Sequence, residues 1–284
     1  MNTINYENII KQINDFPTLP TIYNHLLSTI SNPRSSVTDV ANIISQDISM
    51  STKILKTVNS SVFSLVSKVE TISDAVFHLG FNEVKNLVLS LSVINIFKNV
   101  SSIENFSIID IWKHSLGVAV TTRNLGNIIG VKNLENYFLA GLIHDIGKLF
   151  FLKVIPNDYS KVIKMVIENG ITIEEGEEKV LSINHREIGA KLSEKWQLPN
   201  SITNSIKYHD TGFIDGTANL QTACVHLANI ISRTLELGFP GDSFVHKPNE
   251  LIWDVIKLNP SQMKSIIPKI NIDFKQSLSI LMSN

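Results

Sequence analysis

The residues of this chain best suited to chemistry are four histidines, two of them followed directly by an aspartate. They are His114 in IWKHSLGVAVTTRNLG, the pair His144 and Asp145 in AGLIHDIGKLFF, His185 in NHREIGAKLSEKW, and His209 with Asp210 in SIKYHD. Neutral imidazoles and carboxylates are the ligands that a divalent transition metal takes, and the helices of a bundle can present them from several directions. Such a metal would polarise a phosphoryl oxygen and lower the pKa of bound water to about 7. Lys148, one helical turn beyond His144, is placed to meet a phosphate charge. A single buried histidine is more often hydrogen-bonded core than ligand, so the metal reading rests on the four together and on Asp145 beside His144. Gly141 and Gly147 either let a helix or ligand come close or only relieve crowding between helices. His25, His78, His226 and His246 are weaker candidates, and VHLANII around His226 reads equally well as packed helix.

The elements that must carry these groups are helices. Apolar residues recur at helical spacing in VTDVANIISQDI and VKNLVLSLSVINIF, and no series of alternating strands competes with them. An all-α protein is expected. Helix starts are predicted after Asp15, with Thr21 as a cap beyond Pro17 and Pro20, at Ser35 and Ser36, and at Asn82 with Glu83 after Gly80. The polar stretch KNVSSIENFS, residues 98 to 107, marks a boundary, and ELGFPGDSFVHKP, residues 236 to 248, a weaker one. The expected organisation is an N-terminal helical lobe over 1–100, a second helical lobe over 101–240, and C-terminal helices over 241–284 that pack back onto the body.

At 284 residues a single composite domain or two intimate lobes can bury a core that needs no metal or disulfide staple. Lys and Arg total 25 against 26 Asp and Glu, a net charge of -1 with no long block of either sign, so no nucleic-acid footprint is visible. The single cysteine, Cys224, excludes an intramolecular disulfide, reads as a small core residue and fits a reducing compartment. No signal-peptide pattern and no run of eighteen apolar residues is present, so a cytoplasmic chain without membrane contact is expected.

Several motifs resemble a known family. LIHDIGK, Leu142 to Lys148, is similar to the core of HD-superfamily metal-dependent phosphohydrolases. The order FPTLPTIYNHLLSTI, DISMSTKILKTVNSSVF, TISDAVFHLGFNEVKNLVLSLS, GLIHDIGKLFF and NHREIGAKLSEKWQLPNSITNSIKYHD resembles HDOD domains, HD-related output domains of bacterial signalling proteins. The elements from Asp47 to Phe63 and from Gly189 to Ile202 are the most specific part, and the likeness spans about residues 16 to 210.

The resemblance implies a helical N-terminal lobe packed on an HD-like bundle, and a regulatory role often without catalysis. Matched by motif order, it implies a metal set of His114, His144, Asp145, His185 and His209, with Asp210 where a second histidine often stands and Asn229 where the family has a final Asp. Asn for Asp leaves a divalent ion short of one negative charge, a deficit that Asp210 could make good from another direction. The GYP-type sequence of cyclic-di-GMP phosphodiesterases is missing, with HDTGFIDGT in its place.

The leading expectation is therefore a signalling or regulatory protein with a degenerate HD site, acting through a protein partner or by sensing a ligand of nucleotide-like chemistry. No receiver, kinase, GGDEF-like or DNA-binding segment is legible, so input and output are expected from separate partners or from small-molecule binding. The rival is a metal-dependent phosphohydrolase of nucleotides or cyclic dinucleotides, using iron, manganese or zinc. In the N-terminal lobe, Asn59 reads as a helix cap or buried polar lock, with a contact between lobes as the functional alternative. Phe16 and Tyr23 read as core, with a partner surface as the alternative, and Trp112 and Trp196 as packing anchors.

Overall fold

Local capping chemistry sets where the helices begin. The computed structural model describes residues 6–63, 65 and 67–281. Its first helices are Tyr6–Asp15 (α1), Thr21–Ile30 (α2), Val37–Ser45 (α3), Ile48–Val58 (α4), Ile72–Leu79 (α5) and Phe81–Ile96 (α6). Then come Ile108–Ile129 (α7), Leu134–Ile143 (α8), Ile146–Val154 (α9), Pro156–Asn169 (α10), Ile173–Leu181 (α11), His185–Lys195 (α12), Asn200–Tyr208 (α13) and Leu220–Thr234 (α14). Trp253–Ile256 (α15) and Pro260–Leu281 (α16) follow, and a two-residue hairpin, Phe213–Ile214 (β1) with Thr217–Ala218 (β2), is the only sheet among the described residues. The fold is all-α, as the periodicity requires.

Ser36 opens α3 with a capping box: its hydroxyl accepts the Asp39 amide at 3.2 Å while the Asp39 carboxylate accepts the Ser36 amide at 2.8 Å. Two expected caps are not used. Thr21 is the first residue of α2 and Pro20 stands at the cap, because the fixed φ of proline already sets the entry. Gly80, at φ +84°, precedes α6, and Glu83 instead accepts the Glu135 amide at 3.0 Å.

Helix α7 is the axis of the molecule, buried almost continuously from Ile111 to Gly126. Small residues let α8 lie against it: a Cβ on Gly141 would stand 2.7 Å from the Ala119 Cα. The N-terminal helices join the rest through Phe16, whose ring meets Phe97, Phe150 and Trp196, while the Trp196 indole donates to the Pro17 carbonyl at 2.9 Å. Lys195 adds bonds to the Ile13 and Asn14 carbonyls at 2.8 and 2.7 Å, satisfying groups that the end of α1 leaves open. Phe16, Tyr23, Trp112 and Trp196 are all buried, as anchors should be.

Asn59 is the lock that the sequence suggests. It caps α4, its amide donates to the Leu55 and Val69 carbonyls, and its oxygen accepts the Val69 amide, each at 2.8 Å. Ser64, at the end of that motif, lies outside the described residues. Helix α16 secures the neighbouring turn, with the buried Asp273 carboxylate accepting from Ser61 at 2.7 Å and from Asn124 of α7 at 3.0 Å. Cys224 is fully buried, and burial pushes its thiol up to about 12, which leaves it unreactive.

Candidate metal centre

Helix geometry brings five of the expected residues to one place. His114 comes from the middle of α7, His144 and Asp145 from the break between α8 and α9, His185 from the first turn of α12, and His209 from the end of α13. Each is at most 2% exposed. Gly147 makes the approach of α12 possible: a Cβ there would fall 2.0 Å from the His185 carbonyl oxygen, so only glycine lets His185 stand beside Asp145. The glycines of the motif thus serve helix packing around the centre.

Hydrogen bonds assign the imidazole tautomers. His144 donates through Nδ1 to the Gly141 carbonyl at 2.8 Å, His209 through Nδ1 to the Ile206 carbonyl at 2.8 Å, and His185 through Nδ1 to Glu177 at 2.6 Å. In the neutral imidazole this leaves each Nε2 as an acceptor, and these atoms lie 3.3, 3.6 and 3.3 Å respectively from Asp145 oxygens. The His144 Nε2, the His185 Nε2 and the Asp145 Oδ1 are buried without a hydrogen-bond partner. Buried acceptors facing one another without protons are what a cation relieves, so this donor set fits a divalent ion.

His114 differs. Its Nε2 is 3.0 Å from the Asn229 oxygen, which also lies 3.3 Å from Arg233 Nε. Arg233 can only donate, so the Asn229 atom is an acceptor and His114 must carry its proton on Nε2. That nitrogen, 3.9 Å from Asp145 Oδ2, is thereby withdrawn from any ligand set. Burial holds the His114 imidazole well below its ordinary range, so the ring stays neutral.

Burial likewise lowers His209, to about 3. For Asp145 burial acts upward, but the Lys148 ammonium at 2.8 Å helps to overcome it, and the carboxyl is held well below the carboxylate range. The Lys148 ammonium, 1% exposed, donates to Asp145 Oδ2 at 2.8 Å and so already occupies one of its oxygens. Asp210 lies at the edge, 33% exposed, with Oδ1 at 3.4 Å from His209 Nε2 and Oδ2 at 3.2 Å from Arg186 Nε. A cavity of about 330 Å³ opens here, lined by His185, Asp210, Glu174, Arg233, Asp242 and His246 among others.

Glu177 is the residue that sequence reading missed. Fully buried, it accepts from His185 through both Nδ1 and the backbone amide and takes the Tyr159 hydroxyl at 2.7 Å. A carboxylate behind a ligating imidazole fixes its tautomer and orientation and raises its basicity. Of the weaker candidates, His226 accepts the Asn249 amide at 3.1 Å and donates to the His209 carbonyl at 2.8 Å, a structural link between two loops.

Comparison with known proteins agrees with this architecture. A chain of Geobacter sulfurreducens described as an HDOD domain protein of unknown function superimposes with a TM-score of 0.67 at 25% identity, covering 97% of this chain and 94% of that one. A provisionally assigned signal transduction protein of Marinobacter aquaeolei VT8 gives 0.73 at 20% identity, covering 95% of this chain and 60% of that one. A provisionally assigned metal-dependent phosphohydrolase of Shewanella amazonensis SB2B gives 0.68 at 21%, covering 97% of each chain. At those lower identities the likeness is one of fold.

An uncharacterized protein of Treponema pallidum (strain Nichols) is 27% identical over 202 residues, 71% of this chain and 39% of the relative. The chain thus spans about two fifths of that curated relative's length. Among the described residues no helix is long and apolar enough to cross a membrane. The HDOD domain model matches residues 16–211, from the Phe16 anchor to just past the His209 and Asp210 pair, and the chain belongs to the HDOD domain family.

Proposed function

We propose that this chain is a regulatory protein of bacterial signal transduction whose HD-type centre senses a ligand or stiffens the fold without turning over a substrate, and whose output is a contact between its helical surface and a signalling or regulatory partner. The observation that carries this reading is the bond between His114 and Asn229. It engages the Nε2 of one imidazole within the protein and supplies an uncharged amide where a further anion would balance a metal. The lone buried Cys224 and the balanced charge support a cytoplasmic setting without nucleic acid.

A second reading, a metal-dependent phosphohydrolase acting on a nucleotide or cyclic dinucleotide, is favoured by the unpartnered acceptors on His144, Asp145 and His185. His144, Asp145, His185 and His209 would hold iron, manganese or zinc, with Asp210 alongside. When bound, the ion would supply Lewis acidity toward a phosphoryl oxygen. Lys148, already bonded to Asp145, would meet a phosphate only by leaving that carboxylate.

The two readings separate in a hydrolysis screen. The purified full chain, with excess manganese, ferrous iron or zinc, is offered bis(p-nitrophenyl) phosphate, nucleoside monophosphates and cyclic dinucleotides. Product release no faster than with metal alone is expected. Turnover that disappears in Asp145→Asn would replace the regulatory reading with the hydrolytic one.

A further inference from the structure

Arg123 and Glu135 form an ion pair in the core, 9% and 3% exposed, in which the Arg123 Nε donates to the Glu135 carboxylate at 2.8 Å. Both stand on helices that carry the centre: Arg123 lies further along α7 than His114, and Glu135 is in the first turn of α8, which ends at His144. From there the pair reaches the N-terminal helices. Arg123 donates through Nη1 to the Val62 carbonyl, in the turn that follows Asn59, and its guanidinium lies 4.8 Å from the centre of the Phe63 ring. Glu83, in the first turn of α6, accepts the backbone amide of Glu135 at 3.0 Å.

The cluster is unbalanced, because one guanidinium faces two carboxylates in a largely buried setting. Burial raises the Glu135 carboxyl, but the Arg123 charge and bond oppose it, which leaves Glu83 as the acid that takes a proton. Burial, and then the Glu135 charge, push the Glu83 carboxyl up to about 7, against the opposing pull of the Glu135 amide, Arg123 and Lys85. The other helices packed on α6 are α2, α4 and α5. Their ionisable residues, Tyr23, His25, Lys53, Lys56, Asp74 and His78, are not among the groups that act on Glu83 most.

We infer that Glu83, Glu135 and Arg123 form a proton-operated clamp between the N-terminal helices and the pair α7 and α8, closed while Glu83 carries a proton and loosened when it gives the proton up. With the proton on, one anion and one cation cancel, and Glu83 still accepts the Glu135 amide through its carbonyl oxygen. With the proton off, an uncompensated anion stands beside Glu135. It is relieved by parting α6 from the start of α8, or by drawing Arg123 away from Glu135 and Val62, and either movement frees the turn around Val62. The folded value lies above the ordinary one, so the closed form is fully favoured at low pH and loses its advantage as pH rises through about 7. Only the use of the clamp, a surface of the N-terminal helices that responds to protons, rests on the regulatory reading.

The test is hydrogen exchange read by mass spectrometry on the full chain at pH 6 and pH 8, with rates corrected for the intrinsic pH dependence of exchange and circular dichroism melts confirming that each protein folds. In the wild type, protection of the backbone at 59–63 and in the first turns of α6 should fall about tenfold from pH 6 to pH 8, the change that linkage gives for a carboxyl moved from about 4.5 to about 7. Helix α10, away from the clamp, should not follow. Glu83→Gln, which keeps a carbonyl acceptor but cannot ionise, should hold the same segments protected at both pH values. Equal protection at pH 6 and pH 8 in the wild type, a tenfold fall that persists in Glu83→Gln, or a fall shared equally by α10 would overturn the inference. Those outcomes leave the regulatory reading standing, whereas metal-dependent turnover in the hydrolysis screen would remove that reading and leave the clamp.

Discussion

The Nε2 atom of His114 and the side-chain oxygen of Asn229 lie 3.0 Å apart in the core, and Arg233, 3.3 Å from the same oxygen, decides which of the two donates. The uncharged amide offers a metal no negative charge, and its oxygen holds His114 in the tautomer that cannot ligate through Nε2. The other three histidines hold the opposite tautomer, each pinned through Nδ1.

Asn229→Leu should leave the His114 N–H buried without an acceptor and remove a partner of Arg233. A loss of about 1–3 kcal/mol is expected from urea unfolding. A loss below about 0.5 kcal/mol, the scatter of neutral surface changes, would show that His114 does not depend on this contact.

Lys148→Met keeps the volume of a fully buried side chain but strands the Asp145 carboxylate. Removing one member of a buried ion pair costs about 3–5 kcal/mol, so a large drop in the urea midpoint is expected. Wild-type stability in this variant would mean that Asp145 is not charged in the folded protein.

Gly147→Ala drives a methyl group into the His185 carbonyl, and backbone on both sides leaves little room to yield. Destabilisation of about 3 kcal/mol or more is expected from urea unfolding, at the upper end for overpacked cores. Unchanged stability would show that α9 and α12 are not held this closely.

Glu83 makes a pH dependence away from the centre. Burial, reinforced by the neighbouring Glu135, pushes its carboxyl up to about 7. A folded value above the unfolded one means that its contribution is full at low pH and is lost as pH rises through the window from about 4.5 to 7. Glu83→Gln should therefore gain stability relative to wild type as pH rises from 5 to 8, measured as the difference in urea midpoints. A difference independent of pH would show that Glu83 titrates normally.

The fold was legible because its signals are local: apolar spacing of the α3 and α6 kind, the Ser36 box, and glycines between segments. Histidines at 114, 144, 185 and 209 could be named in advance because each stands on or at the end of a helical segment and two of them are followed directly by an aspartate. Their convergence was not readable from spacing, since it depends on α12 crossing α9 at Gly147. Glu177 escaped notice because EEGEEKV looks like a solvated acidic face, and only tertiary packing shows that one of its four glutamates is fully buried behind His185.

The central claim is that Asn229 withdraws His114 from the centre while the other three histidines keep their Nε2 lone pairs. Long-range proton–nitrogen correlation NMR on protein labelled with nitrogen-15 histidine reads each tautomer directly, and single His→Gln variants assign the signals. The account expects the Nε2–H form at His114 and the Nδ1–H form at His144, His185 and His209. A Nδ1–H form at His114, with its Nε2 lone pair free, would contradict it.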